Sequence, residues 1–193
     1  MNKIRNFRKI NQIERKIVHS SLLKMSPKII SFLNEIRFEL FIELINSSSN
    51  GKFPLIYLVP SEIIEIINKI QFENNIKSSG LYFGMIKKGD FYISLEAVEF
   101  LDSFDCFPDK SKVQVNNEGE KSILYGNQIL KKDILKISPK LTKDEFLLIF
   151  NESNEIIAIA KSKVNYLESK QLEPNGIIAL NLVDKGYYLR RQS

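Results

Sequence analysis

Few side chains in these 193 residues combine the type and the spacing that chemistry needs. The chain has one histidine, His19, and one cysteine, Cys106. A Ser-His-Asp or Cys-His relay would have to run through His19. That residue lies in Arg15-Lys16-Ile17-Val18-His19-Ser20, a helical run, and no glycine-rich nucleophile turn exists to meet it. It reads as an ordinary helix histidine. One Cys and one His cannot assemble a zinc site, and no disulfide can close within the chain. Cys106, near Phe104 and Phe107, reads as a small buried hydrophobe, and the low cysteine usage suits a reducing interior. Asp102, Asp105 and Asp109 are close enough in sequence to hold a magnesium ion. Such a run more often solvates a helix end and a linker, and that reading is taken. No Gly-x-Gly-x-x-Gly turn and no Walker-type loop is present. The expectation is therefore a non-enzyme with no cofactor, no metal and no small-molecule substrate.

Positive charge is the remaining signal. The chain carries 28 Lys+Arg against 23 Asp+Glu, a net of +5, which is a mild bias toward polyanions. Residues 112–193 hold 13 basic against 10 acidic side chains, so clustering says more than net charge. Lys131, Lys132, Lys136, Lys140 and Lys143 gather around residues 128–137. Lys161 and Lys163 follow an apolar run, Lys170 lies beyond it, and Lys185, Arg190 and Arg191 end the chain. RNA phosphates require cations that converge on one path, and Tyr125, Tyr166, Tyr187 and Tyr188 offer stacking surface. Solvated lysines and core tyrosines are the plainer alternative, and the residues alone leave both open.

The elements that must position these groups follow from periodicity. Ile4, Phe7, Ile10, Ile13 and Ile17 recur at helical spacing and predict an amphipathic N-terminal helix with a basic face. Ser26-Pro27 predicts a break and a second helix. Residues 37–45 and 54–59 read as strands around a 46–51 loop, and a helix follows Pro60. A hairpin turns at Lys87-Lys88-Gly89-Asp90, and Ser94 caps a short helix. From Lys112 short β runs take over: 112–115, 122–125, 146–150, 156–160, 177–183 and 187–189, with only 128–137 helical. Many short strands around one helix predict a small barrel. The domain boundary is placed so that 1–111 and 112–193 are separate. No apolar run reaches membrane-spanning length, and no membrane partner is expected.

The run Glu120-Lys121-Ser122-Ile123-Leu124-Tyr125-Gly126-Asn127-Gln128-Ile129-Leu130-Lys131 resembles the start of the PUA domain in the Nip-seven family of large-subunit ribosome biogenesis factors. Tyr82-Phe83-Gly84 with Phe91-Tyr92-Ile93, Ala160-Lys161-Ser162, and Asp184-x-Gly186-x-Tyr188-x-Arg190 are similar to further stretches of that family. The resemblance runs from about Arg37 to Arg191. It implies an α+β chain: an N-terminal α/β domain on an antiparallel sheet, serving ribosome-assembly proteins, then a PUA-type β-barrel with one main helix that binds RNA, with rRNA the expected partner. It implies a role in large-subunit biogenesis and pre-rRNA processing, with no catalytic residues. In PUA domains RNA lies against the helix, the glycine turn before it and a strand end, which points to Gly126, Lys131, Lys132, Lys161 and Lys163. Lys170, Arg190 and Arg191 join that set by charge clustering alone. The compact length suits an archaeal, cytoplasmic member. Two rivals remain. One is an RNA-modifying enzyme or accessory subunit with an appended PUA domain; the other is a protein adaptor without RNA affinity.

Overall fold

The computed structural model describes residues 7–44, 53–73, 76 and 78–190. The chain divides into two compact units, Met1–Cys106 and Phe107–Ser193.

In the first unit the N-terminus departs from its periodicity. A strand, β1 (Phe7–Lys9), precedes the first helix, α1 (Gln12–Met25). Asn11 sets this boundary. Its side chain accepts from the Glu14 backbone N–H at 2.9 Å, while Glu14 accepts from the Asn11 N–H at 2.8 Å. This capping box starts the helix at residue 12. Phe7 is thereby released to pair with the sheet, where it is fully buried and stacks on Phe41 at 5.2 Å. Burying a phenylalanine is worth about 2–3 kcal/mol, more than the helical preference of three residues. Ile13, expected on the packed face, is 71% exposed. Ile4 lies outside the described residues, as does the expected 46–51 loop.

The break at Ser26-Pro27 opens α2 (Pro27–Glu35), with proline at the first helical turn as expected. Then come β2 (Phe38–Glu43) and β3 (Leu55–Pro60). A 3-10 turn, Ser61–Ile63, leads into α3 (Ile64–Glu73). The hairpin β4 (Leu81–Lys87) and β5 (Asp90–Ile93) turns through Lys88 and Gly89, with φ of 52° and 84°. Two successive left-handed residues match the twist of the flanking strands. Ser94 Oγ accepts from the Ala97 N–H at 3.1 Å and starts α4 (Leu95–Asp102). The five strands form one antiparallel sheet in the order β1-β2-β3-β4-β5.

His19 sits on α1 in a small recess with Arg15, Leu33, Asn34 and Phe38. Burial, and then the Arg15 charge, push its pKa below the ordinary 6.5. Below that value the unfolded chain takes up a proton more readily than the folded one, so stability falls as pH drops from about 7 toward 5. His19→Gln should lose less stability than the parent between those two pH values, read as the shift in urea midpoint. An identical shift in both proteins would refute the assignment.

The second unit runs β6 (Lys112–Val115), α5 (Asn117–Leu124), β7 (Ile129–Leu130), a 3-10 turn (Lys131–Asp133), β8 (Ile134–Lys136) and β9 (Phe146–Phe150). It continues with β10 (Ile156–Ser162), α6 (Tyr166–Gln171), β11 (Ile177–Asp184) and α7 (Tyr187–Arg190). The sheet order is β7-β11-β10-β9-β6-β8, parallel only between β6 and β9, and it curls into a nearly closed barrel. Val113, Val115, Ile123, Ile129, Leu147, Ile149 and Ile178 fill it.

Three readings in this unit are corrected. Residues 122–125, expected as a strand, belong largely to α5. Asn116 Oδ1 accepts from the Gly119 N–H at 2.8 Å and starts that helix. Residues 128–137, expected as the helix, are two short strands around a tight turn. Leu130 is paired with Ile177, Ile134 is paired with Val115, and the buried Asp133 carboxylate accepts from the Leu130 N–H. Sheet pairing overrides the helical propensity of the leucines and lysines there. Residues 187–189, expected as a strand, begin a short helical turn.

Candidate nucleic-acid interface

Strand β11 organises the expected site residues. At its start, the Gly176 carbonyl accepts from the Lys131 N–H at 2.9 Å, and the Pro174 carbonyl from the Lys132 N–H at 2.9 Å. On the other flank the Lys163 N–H donates to the Ile178 carbonyl at 2.8 Å. Helix α6 runs between Lys163 and β11, starts at the Asn165–Glu168 capping box, and carries Lys170 in its last turn. Lys131, Lys132, Lys163 and Lys170 thus meet at one end of the barrel, although 39 residues separate the first from the last.

Their side chains differ in availability. Lys132, Lys163 and Lys170 are exposed. Lys170 stands over the Tyr166 ring at 4.9 Å. Lys131 turns inward: its Nζ donates to the Lys170 carbonyl at 2.8 Å and to the Leu172 carbonyl. It satisfies the carbonyls that the end of α6 leaves open. Lys131→Ala should therefore cost about 1–2 kcal/mol of stability, seen as a lower urea midpoint. Its effect on RNA affinity should be that of a single charge. A variant as stable as the parent would contradict the capping role.

Lys161 projects from β10 and pairs with Asp144 Oδ1 at 2.8 Å, both groups exposed. The Lys161 hydrogen bond, and then its charge, hold the Asp144 carboxyl below the usual range. An exposed pair of this kind contributes little and can be exchanged for a phosphate.

Gly126 and Arg190 meet elsewhere, near the far end of β11, roughly 25 Å away at the usual rise of a strand. Gly126 has φ +89°, a left-handed conformation that favours glycine, and its N–H donates to the Ile123 carbonyl at 2.8 Å. It follows the helix α5 and does not precede one. A Cβ at Gly126 would lie 3.2 Å from the Arg190 guanidinium carbon. That guanidinium grips Asp184 with two bonds of 2.9 Å and also donates to the Leu124 carbonyl. The Asp184 hydrogen bonds raise the Arg190 pKa further. Asn181 Nδ2 reaches the Ile123 and Asn127 carbonyls and Asp184 Oδ2, at 3.1, 3.2 and 3.1 Å. This network ties the end of α5 to the end of β11, and it engages Arg190 within the barrel. Tyr125 beside it is 77% exposed. Arg191 lies outside the described residues.

Among the described residues no group of three His, Cys, Asp or Glu is placed to hold a metal ion. Cys106 is 2% exposed and burial pushes its thiol pKa up, away from reactivity. No described helix is long and apolar enough to cross a membrane. Sequence reasoning missed the α6 cap that gathers the lysines. Its signal was present in Asn165-x-x-Glu168.

Residues 111–193 match the UPF0113 PUA domain. The 60S ribosome subunit biogenesis protein NIP7 of Saccharomyces cerevisiae is 26% identical over 188 residues, spanning 95% of this chain and 96% of that protein. The nip7 protein of Schizosaccharomyces pombe is 25% identical over 136 residues, 70% of this chain and 73% of its own. A conserved PUA domain protein from Thermoplasma acidophilum superposes with a TM-score of 0.60 at 16% identity, covering 96% of this chain and 98% of that one. A hypothetical protein from Pyrococcus horikoshii OT3 gives 0.61 at 12% identity, covering 92% and 93%. At those identities the likeness to the solved structures establishes the fold. The resemblance carried by the Leu124-Tyr125-Gly126-Asn127 run is borne out: residues 111–193 match the UPF0113 PUA domain, and the chain is similar over most of its length to the NIP7 proteins.

Proposed function

We propose that this chain is an RNA-binding assembly factor of the large ribosomal subunit that acts by binding and not by turnover. The observation that carries the reading is the gathering of Lys132, Lys163 and Lys170 at the start of β11 in a PUA barrel. The names of the relatives, 60S ribosome subunit biogenesis proteins, supply the process. An RNA strand would lay its phosphates across these three lysines, and Lys161 would exchange Asp144 for another. At the other end of β11 the space that a Cβ on Gly126 would fill is taken by the Arg190 guanidinium. Residues 1–111 would serve protein partners on the assembling particle, and 112–193 would hold RNA. A non-catalytic role suits a histidine recessed beside Arg15 and a cysteine with a raised pKa. In a cell without a nucleus such a factor works in the cytoplasm.

The test is ultraviolet crosslinking of the tagged chain to RNA in its own cells, followed by sequencing. Precursor rRNA of the large subunit should dominate the crosslinked reads. Reads dominated by transfer or messenger RNA would contradict the assignment.

A further inference from the structure

A second cleft lies on the outer face of the same barrel, away from the start of β11. Its lining comes from three neighbouring strands, β8, β6 and β9. Gln114 is in register with Lys136 on one side and Phe150 on the other, which puts the three side chains in one row on one face. Lys112, two residues earlier on β6, shares that face, and its Nζ stands 5.8 Å from the Phe150 ring centre. The alternating residues Val113, Val115 and Ile149 point into the barrel core, so the row is held by a packed sheet. Asn154, at φ 61° in the turn after β9, closes the rim. The cleft has a volume of about 290 Å³, at the lower end for small-ligand sites.

Its chemistry is specific in kind. Two ammonium groups, one aromatic ring and two amides converge on the space of one nucleotide. Gln114 Nε2 donates to the Asn151 carbonyl at 3.2 Å and to Asn154 Oδ1 at 3.3 Å, which fixes the amide and leaves its oxygen to accept.

We propose that this cleft takes one unpaired nucleotide of a bound RNA strand. The base packs on Phe150, the phosphate lies between Lys112 and Lys136, and Gln114 with Asn154 meets the base edge. An aromatic ring with flanking cations is the arrangement by which single strands are held with little sequence preference. The proposal rests on the RNA-binding reading above. It adds to it a second contact on β6 and β8, strands that carry none of the lysines at the start of β11.

The chain has no tryptophan, so Phe150→Trp creates a single reporter in the cleft. The probes are a decauridylate strand and uridine monophosphate, with strand binding followed independently by anisotropy of a labelled strand. Saturation with decauridylate should quench the tryptophan emission by about a third or more, as expected when a base stacks on it. Lys136→Glu in the same background should remove most of the quenching. With Phe150 intact, Phe150→Ala should weaken strand binding about 5-fold or more, which guards against misfolding of the tryptophan variant. Strand binding with unchanged emission, and no loss in Phe150→Ala, would overturn the cleft and leave the RNA reading standing. Quenching by uridine monophosphate without strand binding would support the cleft while the RNA reading fails. No binding and no quenching would overturn both.

Discussion

Changing Lys132, Lys163 and Lys170 together to glutamate should weaken binding of single-stranded RNA by about 100-fold or more near physiological salt. Each reversal removes a phosphate contact and sets a like charge against the strand. The three side chains are exposed, and Lys170 has only a ring contact with Tyr166 to lose. The fold should therefore survive, and the urea midpoint should move little. That separation of effects is the point of the design. Lys131 is the counterexample, because its ammonium caps the end of α6 and its loss is felt in stability. A triple variant that binds RNA as tightly as the parent would remove the start of β11 from the interface.

Gly186→Ala should be the most damaging single substitution in the barrel. A Cβ there would fall onto the Leu124 carbonyl oxygen and 2.8 Å from Arg190 Nη1. The guanidinium could swing aside, but the carbonyl belongs to the last residue of α5 and moves only with the helix. The expected loss is about 3 kcal/mol, visible as a lower urea midpoint of the second unit. Asp184, 3% exposed, belongs to the same network through Arg190 and Asn181. The double change Gly186→Ala with Asp184→Ala should therefore cost less than the two single losses added together. Strict additivity would mean that the Leu124, Asp184 and Arg190 contacts do not act as one unit.

How far the fold was legible depended on whether local signals agreed with the pairing partners. The first unit was readable wherever a cap or a turn marked a boundary: Pro27, Ser94 and Lys88-Gly89 all mark real ones. Around Asn11 the isoleucine spacing alone predicts a helix from residue 4, whereas the Asn11 cap starts it at residue 12 and leaves Phe7 to a strand. In the barrel, residues 128–137 have the composition of a helix. Their conformation is decided by β11 and β6, whose partners lie 47 residues away in the pair Leu130–Ile177 and 19 away in the pair Ile134–Val115. Such pairing is invisible to a window of neighbours. Gly119 obscured α5 for a related reason. It is poor for a helix in isolation, yet only glycine fits where a Cβ would lie 2.6 Å from that of Asp133.

The site was legible as a charge pattern and not as a shape. Clustering in the sequence pointed to Lys131, Lys132, Lys161, Lys163 and Lys170, and the fold brings four of these to the start of β11. It could not distinguish a lysine that faces solvent from one that caps a helix. Nor could it reveal that Arg190, next to the chain end, is held against a buried aspartate. Lys112, Lys136 and Phe150 gave no signal as a group, because their meeting depends on register across three strands.

The most direct test of the central claim is the salt dependence of RNA binding by the intact chain. With three to five phosphates engaged, log K against log salt should fall with a slope of about −2 to −3.5. The slope of the Lys132, Lys163 and Lys170 glutamate variant should be shallower by about 2, because only the contacts at Lys161 and at Lys112 with Lys136 remain. No detectable binding of the parent at low salt, or an undiminished slope in the variant, would contradict an RNA surface at the start of β11.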